Sequence, residues 1–148
     1  MLSEACAYYR AQDKTLMDVL NEVYAKVGAY VDVQVSVLLP GADGAVKLKA
    51  IMDGLREKPL EVPGYEIVRI EDYKLQTATE NGVVTPFAEY DVTDVLKYFL
   101  SDGSYIAIRP SGTEPKCKVY ICAKDETMDK AKEKAEGFKK IAREALGN

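Results

Sequence analysis

Apolar residues recur at helical spacing from the start of the chain. Leu2, Cys6 and Tyr9 form one stripe, and Leu16, Val19, Leu20, Val23 and Val27 form a second after the polar break Gln12-Asp13-Lys14. Two helices are therefore predicted within residues 1–30. Thr15, three positions before Asp18, has the spacing of a capping box, and Gly28 supplies a stop. Leu2 already lies on the apolar stripe with no capping residue before it, which leads us to expect a helix that begins upstream.

From Tyr30 the period shortens to two. Val31, Val33, Val35 and Val37 share one face of a strand that ends at Pro40, and Gly41 to Gly44 reads as a turn. Ala45, Leu48, Met52 and Leu55 mark a helix closed by Lys58-Pro59, and a strand is expected over 65–70. Residues 71–91 are polar, contain Asn81-Gly82 and Pro86, and read as a long loop with room for a hairpin. The apolar runs 95–100 and 105–108 flank Ser101-Asp102-Gly103-Ser104, the signature of an antiparallel hairpin. Beyond Pro115, Cys117, Val119, Ile121 and Ala123 alternate with Lys116, Lys118, Tyr120 and Lys124, which assigns the first set to the core and the second to the polar face, where Cys122 also falls as a spectator. A final helix carries Met128, Ala131, Ala135, Phe138, Ile141 and Ala142 on one face, with Asp125 or Thr127 as its cap. The pattern predicts an α+β fold: an antiparallel sheet with helices packed on one face, preceded by a helical pair.

A chain of 148 residues is of single-domain size. Its 24 acidic and 20 basic residues leave a formal charge of −4, so no general field draws in a nucleic acid, and any anion site must be local. Histidine is absent, which excludes Ser-His-Asp and Cys-His catalysis within these residues. Three irregularly spaced cysteines match neither a disulfide framework nor a zinc pattern and suggest a reducing compartment, the cytoplasm. Cys6 and Cys117 fall on apolar stripes and read as packing residues. No run approaches the ~20 apolar residues that span a bilayer, so no membrane partner is expected.

The chemistry concentrates in Arg109-Pro110-Ser111-Gly112-Thr113-Glu114-Pro115-Lys116. Arg109, at a strand end, offers a planar fork that matches phosphate oxygens, and Ser111 and Thr113 offer hydroxyls. Gly112 is expected to take positive φ, letting the amides of residues 111–114 form an anion-holding concavity. Pro110 and Pro115 restrict the loop and so lower the entropy lost on binding. Lys116 adds a point charge, and Glu114 is expected to shape the loop, because a carboxylate repels a phosphate dianion.

Followed by Cys117-Lys118-Val119-Tyr120-Ile121, this loop resembles the phosphate-binding loop of the α-D-phosphohexomutases, nearer the phosphoglucomutases and phosphomannomutases than the phosphoglucosamine mutases. Tyr8 to Gln12 with Thr15 to Leu20 resembles the family's passage from its third to its fourth domain, and Asp102 to Ile108 resembles its hairpin. The resemblance implies the helical tail of a third domain over 1–30 and a C-terminal phosphate-binding domain over 31–148. It implies that Arg109, Ser111, Gly112 and Thr113, supported by Lys116, hold the non-transferred phosphate of a hexose phosphate.

Family members interconvert hexose 1- and 6-phosphates through a phosphoserine enzyme and a bisphosphate, using Mg²⁺. Their serine, metal and sugar loops have no match here: Ser3, Ser36 and Ser104 lack the flanking residues, and Asp91 and Asp94 are spaced unlike a metal loop. The implied partners are a glucose or mannose phosphate, a hexose bisphosphate and the remaining mutase domains, with Mg²⁺ bound outside this chain and no activity in it alone. The competing expectation is a non-catalytic module that binds a phosphometabolite.

Overall fold

A computed structural model describes residues 1–88 and 90–147. In chain order its elements are α1 (Leu2–Arg10), α2 (Leu16–Val27), β1 (Ala29–Leu38), α3 (Gly44–Glu57), β2 (Ile67–Asp72), β3 (Thr77–Glu80), β4 (Val83–Pro86), β5 (Leu96–Leu100), β6 (Tyr105–Pro110), β7 (Lys116–Asp125) and α4 (Met128–Ala145). The strands make one sheet in the order β1-β7-β6-β5-β2-β3-β4, antiparallel at every pairing.

Alternation along the strands decides which face is covered. Val35, Val37, Leu96, Tyr98, Ile106, Ile108, Val119 and Ile121 point to one side, where Leu48, Met52 and Leu55 of α3 and Ala135, Phe138 and Ala142 of α4 complete a single core. The helices thus lie on one face, as the periodicity predicts. On the other face Lys97 lays its Nζ over two aromatic rings, 4.5 Å from the Phe99 centroid and 4.4 Å from that of Tyr105. The stem and the charge of the lysine partly roof these rings.

Local signals hold where they were read. The Thr15 capping box forms in both directions, and Gly28 stops α2 at φ 89°. Thr127, not Asp125, caps α4, accepting a bond from the Lys130 amide. Burial departs from expectation at two cysteines. Cys6, read as a packing residue, is exposed: neither α1 nor α2 buries a residue, because no other described element covers their apolar stripes. Cys122, assigned to the polar face, is buried: its side chain is short, and Asp32 and Tyr105 stand directly across from it on the neighbouring strands.

Most of 71–91 is ordered structure, not the long loop expected there; position 89 lies outside the described residues. β2 runs on to Asp72, and β3 and β4 form a hairpin through Asn81 and Gly82, at φ 50° and 76°. Positive φ at both central residues is the geometry that matches strand twist, and Asn-Gly is the pair that takes it most readily. β4 is exposed along its whole length, so its sequence carries no apolar alternation to detect. The preceding turn rests on Asp72, whose Oδ1 accepts from the amides of Lys74 and Leu75.

Two ion clusters brace this frame. Lys134 of α4 places Nζ 2.8 Å from both Asp102 and Asp125, and also donates to the Lys124 carbonyl. Arg56 of α3 bonds Asp72 at 2.7 Å and Asp94 at 2.5 Å. Burial works against the charge on Arg56, but the two carboxylates prevail and raise its pKa.

Candidate anion-binding site

Residues 111–115 connect β6 to β7, and the sheet register fixes both ends of that connection. Pro110 pairs with Cys117 and Arg109 with Lys118, and the Ser111 amide donates to the Lys116 carbonyl at 2.8 Å. The exit is held from the other side as well. β1 pairs with β7 as far as Leu38 and Lys116, and the Leu39 amide then donates to the Pro115 carbonyl at 2.8 Å. Gly44, the first residue of α3, is buried against the same proline: a Cβ built there would lie 2.8 Å from Pro115 Cβ and 2.2 Å from the Leu39 carbonyl oxygen.

Within the loop the amides divide. Ser111 N–H is committed to Lys116 and is not available to a ligand, contrary to expectation. Thr113 N–H donates to Ser111 Oγ at a long 3.4 Å. Gly112 and Glu114 N–H have no backbone acceptor among the described residues. Gly112 does not take positive φ either. Its contribution is space, since a Cβ there would meet nothing within 4 Å. The Glu114 carboxylate forms no ion pair among the described residues, while its carbonyl accepts the Lys116 amide at 2.7 Å; the loop is shaped by backbone at this position. Cys117 at the foot of the loop is fully buried, and burial pushes its thiol up to about 12, which makes it a packing group.

The loop separates two cavities. A smaller one, of about 170 Å³, is lined by Arg109, Pro110, Ser111, Gly112 and Lys118. A larger one, of about 400 Å³, lies between the loop and α3, and its walls include Lys49, Thr93, Asp94, Arg109 and Glu114. Only the smaller is free of carboxylates. Among the described residues neither Arg109 nor Lys118 is engaged in an ion pair, so both cations keep their charge for an incoming anion.

The structure thus brings Arg109, Pro110, Ser111 and Gly112 together around the smaller cavity. It places Thr113, Glu114 and Pro115 on the larger one and puts Lys116 on the wall of neither. Sequence reasoning missed Lys118. The signal was present in the alternation, which sets residue 118 on the same face as Arg109 once β6 and β7 are paired.

An antiparallel sheet backed by two helices defines an α+β domain, and among its described residues free amides, with Arg109 and Lys118 outside any ion pair, gather at one interstrand loop. Residues 52–140 match the model of the phosphoglucomutase/phosphomannomutase C-terminal domain, and the chain belongs to that family. It is 35% identical to the phosphoglucomutase of Staphylococcus haemolyticus (strain JCSC1435) over an alignment of 117 residues that covers 74% of this chain and 20% of that protein. It is 35% identical to the phosphoglucomutase of Staphylococcus aureus (strain bovine RF122 / ET3-1) over 128 residues, 82% of this chain and 22% of the relative. The chain thus spans about a fifth of the length of these relatives. Its fold resembles part of the open form of pp63/parafusin, a phosphoglucomutase from Paramecium, with a TM-score of 0.58 at 14% identity, covering 94% of this chain and 24% of that one.

Proposed function

We propose that this chain is the substrate-phosphate anchor of a phosphohexose mutase that interconverts hexose 1- and 6-phosphates through a phosphoserine enzyme and a bisphosphate intermediate. On this reading residues 1–30 are the tail of a preceding domain and 31–148 the C-terminal phosphate-binding domain. The observation that carries the reading is the small cavity in which Arg109 and Lys118 stand side by side with Ser111 and Gly112 and without a carboxylate. Arg109 offers a bidentate fork and Lys118, its partner across β6 and β7, a second charge, while Ser111 at the start of the loop offers a hydroxyl. Thr113 and the free amides at 112 and 114 extend the donor set across the loop, with Lys116 in support.

Such an anchor is remote from the reacting phosphoryl group. It supplies binding energy and orientation, which a mutase needs in order to hold one intermediate in two opposite directions. The described residues contain no group of three or more His, Cys, Asp or Glu that could hold a metal ion. On the resemblance to the family, whose serine and metal loops have no match in this sequence, we assign Mg²⁺ and the phosphoserine to parts of the protein outside this chain, and no turnover to the chain by itself. No described helix is long and apolar enough to cross a membrane. We place the enzyme in the cytoplasm on its cysteine usage, three irregularly spaced residues that suit a reducing compartment.

A few charge-assisted hydrogen bonds of roughly 1.5–3 kcal/mol each, set against several kcal/mol of association cost, leave about millimolar affinity for phosphate. The test is an amide-resolved NMR titration of the chain with glucose 1-phosphate, glucose 6-phosphate and glucose, repeated on Arg109→Ala and Lys118→Ala. Both phosphosugars are expected to shift the amides of the non-proline residues within 109–118, glucose to leave them unmoved, and each variant to weaken the response. A loop indifferent to both phosphosugars at tens of millimolar overturns the assignment.

A further inference from the structure

The two cavities that share the loop differ in charge. The smaller presents cations and a hydroxyl and no carboxylate; the larger, which Arg109, Ser111 and Thr113 also line, adds two carboxylates, Asp94 and Glu114, together with Lys49 and the Thr93 hydroxyl. A phosphate dianion is repelled by those two carboxylates, whereas a carboxylate is a strong acceptor for neutral hydroxyl groups. We infer that the larger cavity, between α3 and the loop, is a subsite for the polyhydroxylated part of the ligand, with Asp94 and Thr93 reading its hydroxyls. The inference rests on the phosphate anchor proposed above and adds a specificity element to it.

Four features support the assignment. Asp94 is held in place: Arg56 Nη2 binds its Oδ1 at 2.5 Å, while its Oδ2 forms no hydrogen bond among the described residues, and its side chain remains 35% accessible. An acceptor oriented by a buried guanidinium and open on its other oxygen suits a sugar hydroxyl, because its position is set before the ligand arrives. The Thr93 and Lys49 side chains also carry no hydrogen bond or ion pair among the described residues, so a donor, an acceptor and a hydroxyl face one space. At about 400 Å³ that space lies within the ordinary range of small-ligand sites. Finally, the cavities meet at Pro110, Ser111 and Gly112, and the missing side chain at Gly112 leaves open space beside the loop, so one molecule can reach both.

The chain, unmodified and as Asp94→Asn and Thr93→Val, is titrated in parallel with inorganic phosphate and glucose 6-phosphate and followed by amide shifts. In the parent, inorganic phosphate is expected to move Arg109, the loop amides of residues 111–114 and Lys118, and to leave Lys49, Thr93 and Asp94 unmoved. Glucose 6-phosphate is expected also to move Lys49, Thr93 and Asp94 and to bind several-fold more tightly. Each variant is expected to lose most of that advantage while keeping its affinity for inorganic phosphate. Thr93→Val leaves the Arg56–Asp94 pair intact and so separates recognition from loss of the ion pair. Equal affinities of the parent for the two ligands, or an unchanged ratio in both variants, overturn the subsite and leave the anchor standing. Failure of both ligands to move the loop overturns the anchor and the subsite together.

Discussion

Substituting Gly44 by alanine tests how the fold sets the loop. The added methyl would lie 2.2 Å from the Leu39 carbonyl oxygen and 2.8 Å from Pro115 Cβ. Relief requires the start of α3 to move about 1 Å away from the end of β1, since non-bonded heavy atoms settle at roughly 3.5 Å or more. The near contact is backbone, so no side-chain rotation can absorb it. Overpacking of this kind costs about 1–3 kcal/mol, and the upper end applies because Leu39 is itself tied to Pro115. Alanine's better helix propensity returns up to about 1 kcal/mol. The net loss of about 2 kcal/mol corresponds to roughly 4–8 °C in Tm for a chain of this length. Thermal unfolding followed by circular dichroism reads it, with Gly54→Ala as control: Gly54 lies in the same helix, a Cβ there meets nothing within 4 Å, and stabilisation by about 0.5–1 kcal/mol is expected. Because Pro115 closes the loop, Gly44→Ala should also weaken phosphate binding. A variant that melts within 1 °C of the parent and binds phosphate equally would refute the clamp.

Lys134→Met should destabilise the chain by about 2 kcal/mol, less than for a fully buried pair because Asp102 and Asp125 keep some solvent; urea denaturation measures it. The parent should lose stability in acid. Burial alone would raise the Asp102 pKa, yet its bonds to Lys134 and Ser104 hold it below 3.8. A carboxylate lowered in the folded state contributes fully above the unfolded value and loses that contribution as pH falls through the folded one, below about 4. In Lys134→Met this acid limb should flatten. A thiol reagent at pH 8 should modify Cys6 at once and Cys117 and Cys122 only on unfolding, since burial pushes their thiols up to about 12 and about 11; mass spectrometry counts the adducts, and rapid labelling of Cys122 would contradict the burial described.

Much of the fold and part of the site are legible in the residues because they are written in local rules. Strand alternation separates Val119 and Ile121 from Lys118 and Tyr120, the Thr15–Asp18 box starts α2, and Asn81-Gly82 admits one kind of turn. The composition of 109–116 marks out the candidate anion loop by the same logic, since each donor type has its own chemistry, and it is this candidate that the titrations test. What the chain could not show by itself depends on distance in space. β4 left no pattern because it buries nothing, and Cys122 is hidden by strands remote in sequence. Which amides of the loop are free, that Lys118 stands beside Arg109, and that Asp94 is oriented by Arg56 follow only from the pairing of β6 with β7 and the placement of α3. Periodicity determines which face a residue takes, and tertiary packing decides what stands opposite it; the site is made of the second kind of information.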